Sequence, residues 1–414
     1  MLEHKFKSFL DKNFGYSGPI LVTGILFFLS GFSLGLFERR SIWVLMLIVL
    51  FSLWRGRFFS WATFKKAAPY ILFFGVHLLF MGNTSNTNAG WVDVQSKLLL
   101  VILPWCVFCW DRSKIVLHAS IWGLGIGAVV RLFIGFVIGV PDFISSGGST
   151  VSITYTNLSM GIHPTYIGMY LILFQLFLIG KLKNGKAKRH VWPWFIIASI
   201  FTALLSSKMT LGAEIGVFIT ALYYVWKYQR RSKGHWGVFG LASVLFLVSL
   251  LQNPLMSSRL NSFISKNAQI SQVTTIENQP KVASQGSHRV HIWKSAWEVV
   301  KQNPIFGVGT GDVNGELKNA FAQNGYTIGV ERGYNAHNTY LQILCSFGII
   351  GMAVFAFLFF KVFSTFRQKR PTWKYAFFFL LLCFLLIESM FERQGGLLFF
   401  CLFLPLLSAP SLDK

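Results

Sequence analysis

Charge is scarce in this chain. Of its 414 residues only 13% are charged, and acidic residues are few: 15 Asp and Glu against 38 Lys and Arg. A soluble protein of this length carries about twice that charged fraction, which excludes an ordinary soluble enzyme. Cysteine is scarce too. Cys106, Cys109, Cys345, Cys383 and Cys401 all lie inside apolar runs. The Cys106-x-x-Cys109 pair sits between Pro104-Trp105 and Trp110 with no second pair, so it reads as two small hydrophobes rather than a redox or metal motif. The chain lacks a D-x-D pair, the device that commonly holds a metal and a diphosphate in nucleotide-sugar transferases. No G-K-[ST] follows its glycine-rich stretch, and no internal repeat supports an inverted-repeat transporter. No small-residue cleavage site follows Lys5, Lys7 and Lys12, so the first apolar run is expected to be an uncleaved anchor.

What fills the chain instead is apolar. Mean hydropathy is +0.54, and phenylalanine alone contributes 43 residues. Apolar runs recur at the length of membrane-spanning helices, without the alternation of a barrel. The expected fold is all-α, a polytopic integral membrane protein with about 12 transmembrane helices. They are expected near 17–37, 41–54, 67–82, 97–110, 114–140, 164–180, 191–206, 209–226, 236–252, 339–360, 375–390 and 395–410. The net charge of +23 does not predict a nucleic-acid partner, because the basic residues punctuate the gaps between runs. Arg55, Arg57, Lys65 and Lys66 stand in one gap; Lys181, Lys183, Lys186, Lys188 and Arg189 in another. Lys227, Arg230, Arg231 and Lys233, then Arg367, Lys369, Arg370 and Lys374, complete the set. The positive-inside rule places these loops and both termini in the cytoplasm. The expected organisation is helices one to nine over 1–252, a long external loop over 253–338, and helices ten to twelve over 339–414.

That loop carries the polar signals. Its first part, 257–287, is rich in Ser, Asn and Gln, with a short helix expected near Asn261. Ser287 is expected to cap a helix over His288 to Asn303, with Trp293, Ala296, Trp297 and Val300 as its apolar stripe and Arg289 on nearly the same face. The stretch 304-PIFGVGTGDV-313 suggests a turn packed against other backbone. Asp312 is expected to cap a second helix with Val313, Leu317 and Phe321 on one face. The loop then closes on 334-YNAHNTYLQILCSFGIIG-351, where Asn335 or Asn338 can cap the next apolar helix and His337 stands at its threshold. His288 and His291 stand three residues apart but lack an acidic or thiol partner, so no metal is expected there.

Arg289-x-x-x-Trp293, Pro304-x-Phe306-Gly307-Val308-Gly309, Ala336-His337-Asn338-x-Tyr340-Leu341 and Gly348-Ile349-Ile350-Gly351 together resemble the O-antigen ligase and O-antigen polymerase superfamily of bacterial inner membranes. The tight local match covers 288–351; the rest agrees in span number, orientation and loop position. The resemblance implies a metal-independent, inverting glycosyltransferase without cofactor, acting at the periplasmic face of a Gram-negative inner membrane among membrane lipids. Its implied donor is an undecaprenyl-pyrophosphate-linked glycan and its acceptor lipid A-core or another glycan, in lipopolysaccharide biosynthesis. His337 matches the family's essential loop histidine, and Arg289 resembles its loop arginine. Lys208, in 206-SSKMT-210, stands where the family tends to place an arginine; an ammonium lacks the fork that grips phosphate through two bonds.

Such a transfer needs fixed positive charge for the pyrophosphate and a base for the acceptor hydroxyl. Arg289 and Lys208 are the candidates for charge, and His337 for the base. Asn338, Tyr340, His163 and Tyr166 are candidate substrate contacts. Glu388, Glu392 and Arg393 cluster at the end of the eleventh span, and Arg131 and Glu214 are ionisable residues inside apolar runs. A ligase is the first expectation. A polymerase extending the lipid-linked glycan is the alternative, followed by a lipid-glycan transporter without chemistry. Transporters place their polar residues near the bilayer midplane, whereas here they gather in the loop.

Overall fold

The computed structural model describes residues 18–54, 60–109, 113–183, 191–230, 232–251, 285–367 and 372–408. The stretch 257–284, with the short helix expected near Asn261, lies outside them. The described residues are helical, without a strand. In chain order the helices are α1 (Gly18–Phe37), α2 (Ile42–Trp54), α3 (Trp61–Leu79), α4 (Thr87–Lys97), α5 (Leu99–Phe108), α6 (Ser113–Ser145) and α7 (Tyr155–Leu158). They continue with α8 (Pro164–Lys181), α9 (Val191–Leu205), α10 (Lys208–Tyr228), α11 (Lys233–Leu251) and α12 (Gln285–Gln302). The last are α13 (Val313–Gln323), α14 (Thr327–Arg332), α15 (Thr339–Arg367), α16 (Thr372–Ile387) and α17 (Gln394–Ser408).

Among the described residues, seven helices are long and apolar enough to cross a membrane, and shorter apolar helices occupy the other expected positions. The expected 97–110 run is the second half of a longer element, Thr87–Phe108, whose polar start in α4 hid it from a hydropathy reading. Lipid tails are as apolar as leucine, so helix association here depends on close packing and internal hydrogen bonds. α1 and α6 meet backbone to backbone. A Cβ on Gly31 would overlap the Ser120 carbonyl, and one on Gly123 would overlap the Phe28 carbonyl. Two helices are buried nearly all round, α8 and α17. They touch where Tyr170 stacks on Phe399 at 5.2 Å and its hydroxyl donates to the Gly395 carbonyl at 3.1 Å. Both begin at the same end of the bundle, hereafter the site end.

Of two ionisable groups from the apolar runs, Arg131 is absorbed by structure, while Glu214 keeps one buried oxygen without a hydrogen-bond partner. Arg131 Nε donates to Ser159 O at 2.8 Å and Nη2 to Met160 O at 2.7 Å, while Nη1 donates to Leu36 O. It clamps the turn before α8 to the C-terminal end of α1. Glu214 Oε1 accepts from Gln175 Nε2 at 2.6 Å inside the bundle.

Beyond α11 the described residues from 285 on form a small cap of α12, α13 and α14, with Ile292, Ala296, Val299, Leu317 and Phe321 in its own core. The Val313, Leu317 and Phe321 face is buried as expected. Three expectations need correction. α12 starts at Gln285, so Ser287 lies inside it rather than at its cap. Its buried face runs through Ile292, Ala296, Val299 and Val300, leaving Trp297 51% exposed, because α13 and α15 approach one side of the helix. Asp312 makes no side-chain cap; both its oxygens accept from the Ser85 and Asn86 amides, each at 2.7 Å.

The glycine-rich stretch does pack on backbone. α15 is broken at Gly348, with φ 57° and ψ −155°, a conformation open essentially to glycine alone. The break frees the Cys345 and Ser346 carbonyls, and the amides of Val308 and Gly309 donate to them, each at 2.9 Å. The freed Ile349 amide donates to Pro304 O at 2.9 Å. Loop and broken helix thus satisfy each other's polar backbone, as an apolar setting demands.

Candidate functional site

The link between α16 and α17, residues 388–393, crosses the site end. Its first residue, Glu388, draws three distant segments together. Glu388 Oε1 lies 3.4 Å from Arg289 Nη2 on α12 and 3.9 Å from His163 Nδ1 just before α8. Glu388 Oε2 lies 3.9 Å from His337 Nδ1 just before α15. The Glu388 side chain is only 7% exposed, whereas Arg289 is 36%, His163 33% and His337 23% exposed. A buried carboxylate therefore anchors three basic side chains that keep an open flank.

Burial alone would raise the Glu388 pKa. His337, His163 and Arg289 outweigh it and hold the carboxyl below the usual value. Burial lowers the His163 pKa, with Glu388 only partly offsetting it. Arg289 is thus the permanent charge beside Glu388. At 3.9 Å the two imidazole contacts are ion-pair or dipole distances rather than hydrogen bonds.

The link is held from every side. Asn338 caps α15: its Oδ1 accepts from Tyr340 N at 2.9 Å and Leu341 N at 3.1 Å. Its own amide donates to Ser389 Oγ at 3.1 Å. Thr339 Oγ1 donates to Glu388 O at 2.6 Å and accepts from Met390 N at 3.1 Å. The Phe391 ring packs on Phe73, Phe355 and Phe400, with centroids 5.6, 5.9 and 4.7 Å away. Behind it, Lys97, 2% exposed, donates to Phe391 O and Asp93 Oδ1, each at 2.8 Å, and lies 3.6 Å from Glu392 Oε1.

His337 is presented by strained backbone. Its φ of 44° is left-handed, unusual for a residue with a Cβ. Asn335 Oδ1 accepts the His337 amide at 3.0 Å and supports that turn. The Tyr334 ring meets the imidazole edge-on at 5.5 Å.

The expected residues fall into two groups. Arg289, His337 and His163 converge on Glu388, and Asn338 fixes the helix end beside them. Tyr166 lies next to His163, ring centroids 6.1 Å apart, with its buried hydroxyl lacking a hydrogen-bond partner. Lys208 is exposed at the first position of α10, whose Ser207 hydroxyl meets Thr165 at 3.0 Å. This joins the Lys208 helix end to that of His163. Tyr340 turns inward: its hydroxyl donates to Leu382 O at 3.1 Å and its ring packs on Phe355. His288 and His291 are engaged by Tyr326, the first through a 2.7 Å hydrogen bond and the second by stacking. Thr339 is the residue that sequence reasoning missed, and Glu388, named there only as one of a cluster with Glu392 and Arg393, is the one whose central place it did not show. The one signal was an acidic residue at the tip of an apolar span.

The helical membrane bundle and its basic cluster define the class, an integral membrane protein with a polar site at one end. Residues 193–356 match the family model described as O-antigen ligase. That span contains Lys208, Arg289 and His337, and over it the chain is similar to the O-antigen ligase family. The family indicates an enzyme of ligase or polymerase type, working on lipid-linked glycans. His163 and Glu388 lie outside the matched span. No curated protein matches the chain.

Proposed function

We propose that the protein is an O-antigen ligase. It transfers a glycan from undecaprenyl pyrophosphate to lipid A-core at the periplasmic face of the inner membrane, with the site end periplasmic and the termini cytoplasmic. The observation that carries this reading is the convergence of Arg289 and His337, both inside the family segment, and of His163 on one buried carboxylate.

Each residue takes a role that its chemistry suits. Arg289 spends one nitrogen on Glu388 and turns its other donors to the pyrophosphate, with Lys208 as a second charge. His337 Nδ1 faces Glu388, which orients the ring and leaves Nε2 for the acceptor hydroxyl. The hydroxyl proton passes to Nε2 as the acceptor oxygen bonds to the anomeric carbon. The bond from that carbon to the pyrophosphate oxygen breaks, and the pyrophosphate leaves as an anion paired with Arg289. One displacement of this kind inverts the anomeric configuration and needs no metal. Purified protein supplied with polyprenyl-linked donor and lipid A-core should form product without added metal or nucleotide. His337→Ala and Arg289→Ala should abolish it; full product from either variant sinks the assignment. In cells, loss of the gene should leave polymer on the lipid carrier. Single repeat units still joined to lipid A-core would instead indicate a polymerase.

A further inference from the structure

The 388–393 link has a second face. Behind it lies a cavity of about 50 Å³ lined by polar groups from five segments, among them His77, Asp93, Gln342, Ser346, Thr310 and Glu392. Two side chains in its wall are buried with unmet polar atoms. His77 is 3% exposed and neither ring nitrogen has a hydrogen-bond partner; Gln342 is 4% exposed and its Nε2 has none. The Gln342 amide is not free to turn, because its Oε1 accepts from the Ala336 amide at 2.9 Å. Unmet donors this deeply buried cost about 1–3 kcal/mol each unless a ligand or water meets them.

The lining also selects by charge. Asp93 and Glu392 each turn one oxygen to Lys97, leaving the second of each for a ligand, and together they outweigh that one cation. An anion is repelled here, in contrast to the Arg289 side of the same link. Neutral hydroxyl and amide groups are suited: carboxylates accept from them, and Gln342 Nε2 donates. The volume holds about three or four water-sized groups, too few for a whole sugar ring but enough for a projecting arm. Ala89 and Asn314, both exposed, stand in the lining on α4 and α13 and form its lips.

We propose that this cavity is a neutral-sugar subsite, binding the hydroxymethyl or acetamido arm of one glycan unit while the ring rests at the mouth. The proposal rests on the glycosyl-transfer reading for the glycan's role, but not for binding itself. Thr339 and Ser389 line the cavity; Thr339 Oγ1 donates to the Glu388 carbonyl and Ser389 Oγ accepts from the Asn338 backbone amide, so a sugar seated here lies one link away from His337.

The test is saturation-transfer NMR on the full chain in detergent, with N-acetylglucosamine and methyl glucoside at tens of millimolar and glucose 1-phosphate as the anionic probe. The neutral sugars should give signal in the wild type and equally in His337→Ala. Ala89→Trp and Asn314→Trp, which block the mouth from two different helices, should reduce that signal about tenfold, with folding checked by thermal melt. Glu392→Gln should weaken it severalfold. The idea is overturned if the wild type gives no neutral-sugar signal, leaving a water-filled cavity only. It is also overturned if a folded mouth variant binds like the wild type, or if the phosphate sugar competes best. Neutral-sugar binding by a wild-type protein that shows no transferase activity would overturn the ligase reading and leave the subsite standing.

Discussion

Two buried charges in this molecule contrast sharply. Arg131 is surrounded: three of its donors meet three backbone carbonyls, those of Ser159 and Met160 at 2.8 and 2.7 Å and that of Leu36. Glu388 is equally buried, yet its partners stand at 3.4 to 3.9 Å and are each about a quarter to a third exposed. Both are ionisable residues in or beside apolar spans, and by sequence both deserve the same suspicion. The difference teaches how to separate them. A charge whose hydrogen bonds are all short and internal is used up by the fold. A charge that anchors other charges at longer range, with an open flank, still has capacity for a substrate.

Four measurements can break or sharpen this contrast. The largest effect is expected at the anchor. Glu388→Gln keeps the shape but removes the charge that orients His337 and Arg289, and transfer should fall on the order of 10²- to 10³-fold. Its melting temperature in detergent should change little; a collapse in stability with normal specific activity would place Glu388 beside Arg131 as a structural residue. Arg131→Met should do the reverse. It strands three carbonyls, and stability should drop by about 2–5 kcal/mol while the folded fraction retains its pH–rate profile. A shifted profile would argue that Arg131 belongs to the site.

Gly348→Ala tests the broken helix that carries His337's neighbours. A Cβ there would overlap the Ile305 carbonyl in a conformation that non-glycine residues avoid. A cost of roughly 1–3 kcal/mol is expected. Gly212→Ala, at a helical position with open space around it, should be neutral or slightly stabilising. Equal melts for the two variants would mean that the break is not needed.

The smallest effect concerns acid. Burial depresses His163 below its ordinary value of 6.5, so below that pH the unfolded chain takes up a proton that folded His163 resists. The unfolded state then binds more protons, and stability declines as pH falls from about 6.5 toward 5. Glu388, also depressed, loses its contribution only lower, as pH falls through its own reduced value below 4.5. His163→Gln should make the melting temperature less sensitive to pH across 6.5 to 5. An unchanged slope would show that His163 is not held neutral by the fold.

Much was already legible in residue order. Long apolar runs broken by basic gaps announced a helical membrane protein, because a backbone in lipid must satisfy itself. The Asn338 cap and the Val313–Leu317–Phe321 stripe were readable because each is set within a turn or two, and the glycine stretch because glycine clusters mark close backbone approach, although its partners at 83–86 and 345–347 were not. The errors arose where another element chose the face. The buried side of α12 is set by α13 and α15, so Trp297 stays outside although its spacing fitted the stripe. Asp312 serves the α3–α4 link, 226 and 227 residues away, instead of its own helix.

Sequence by itself determined the class of protein, the helical segments and the identity of the basic residues that stand outside the apolar runs. Only the tertiary structure decided which of them work together. Arg289 and Glu388 are 99 residues apart, and Arg131 meets carbonyls 28, 29 and 95 residues away. Periodicity reports which side of a helix is apolar. It carries no record of what that side will face, and a carboxylate becomes an anchor or a bystander only when the bundle closes around it.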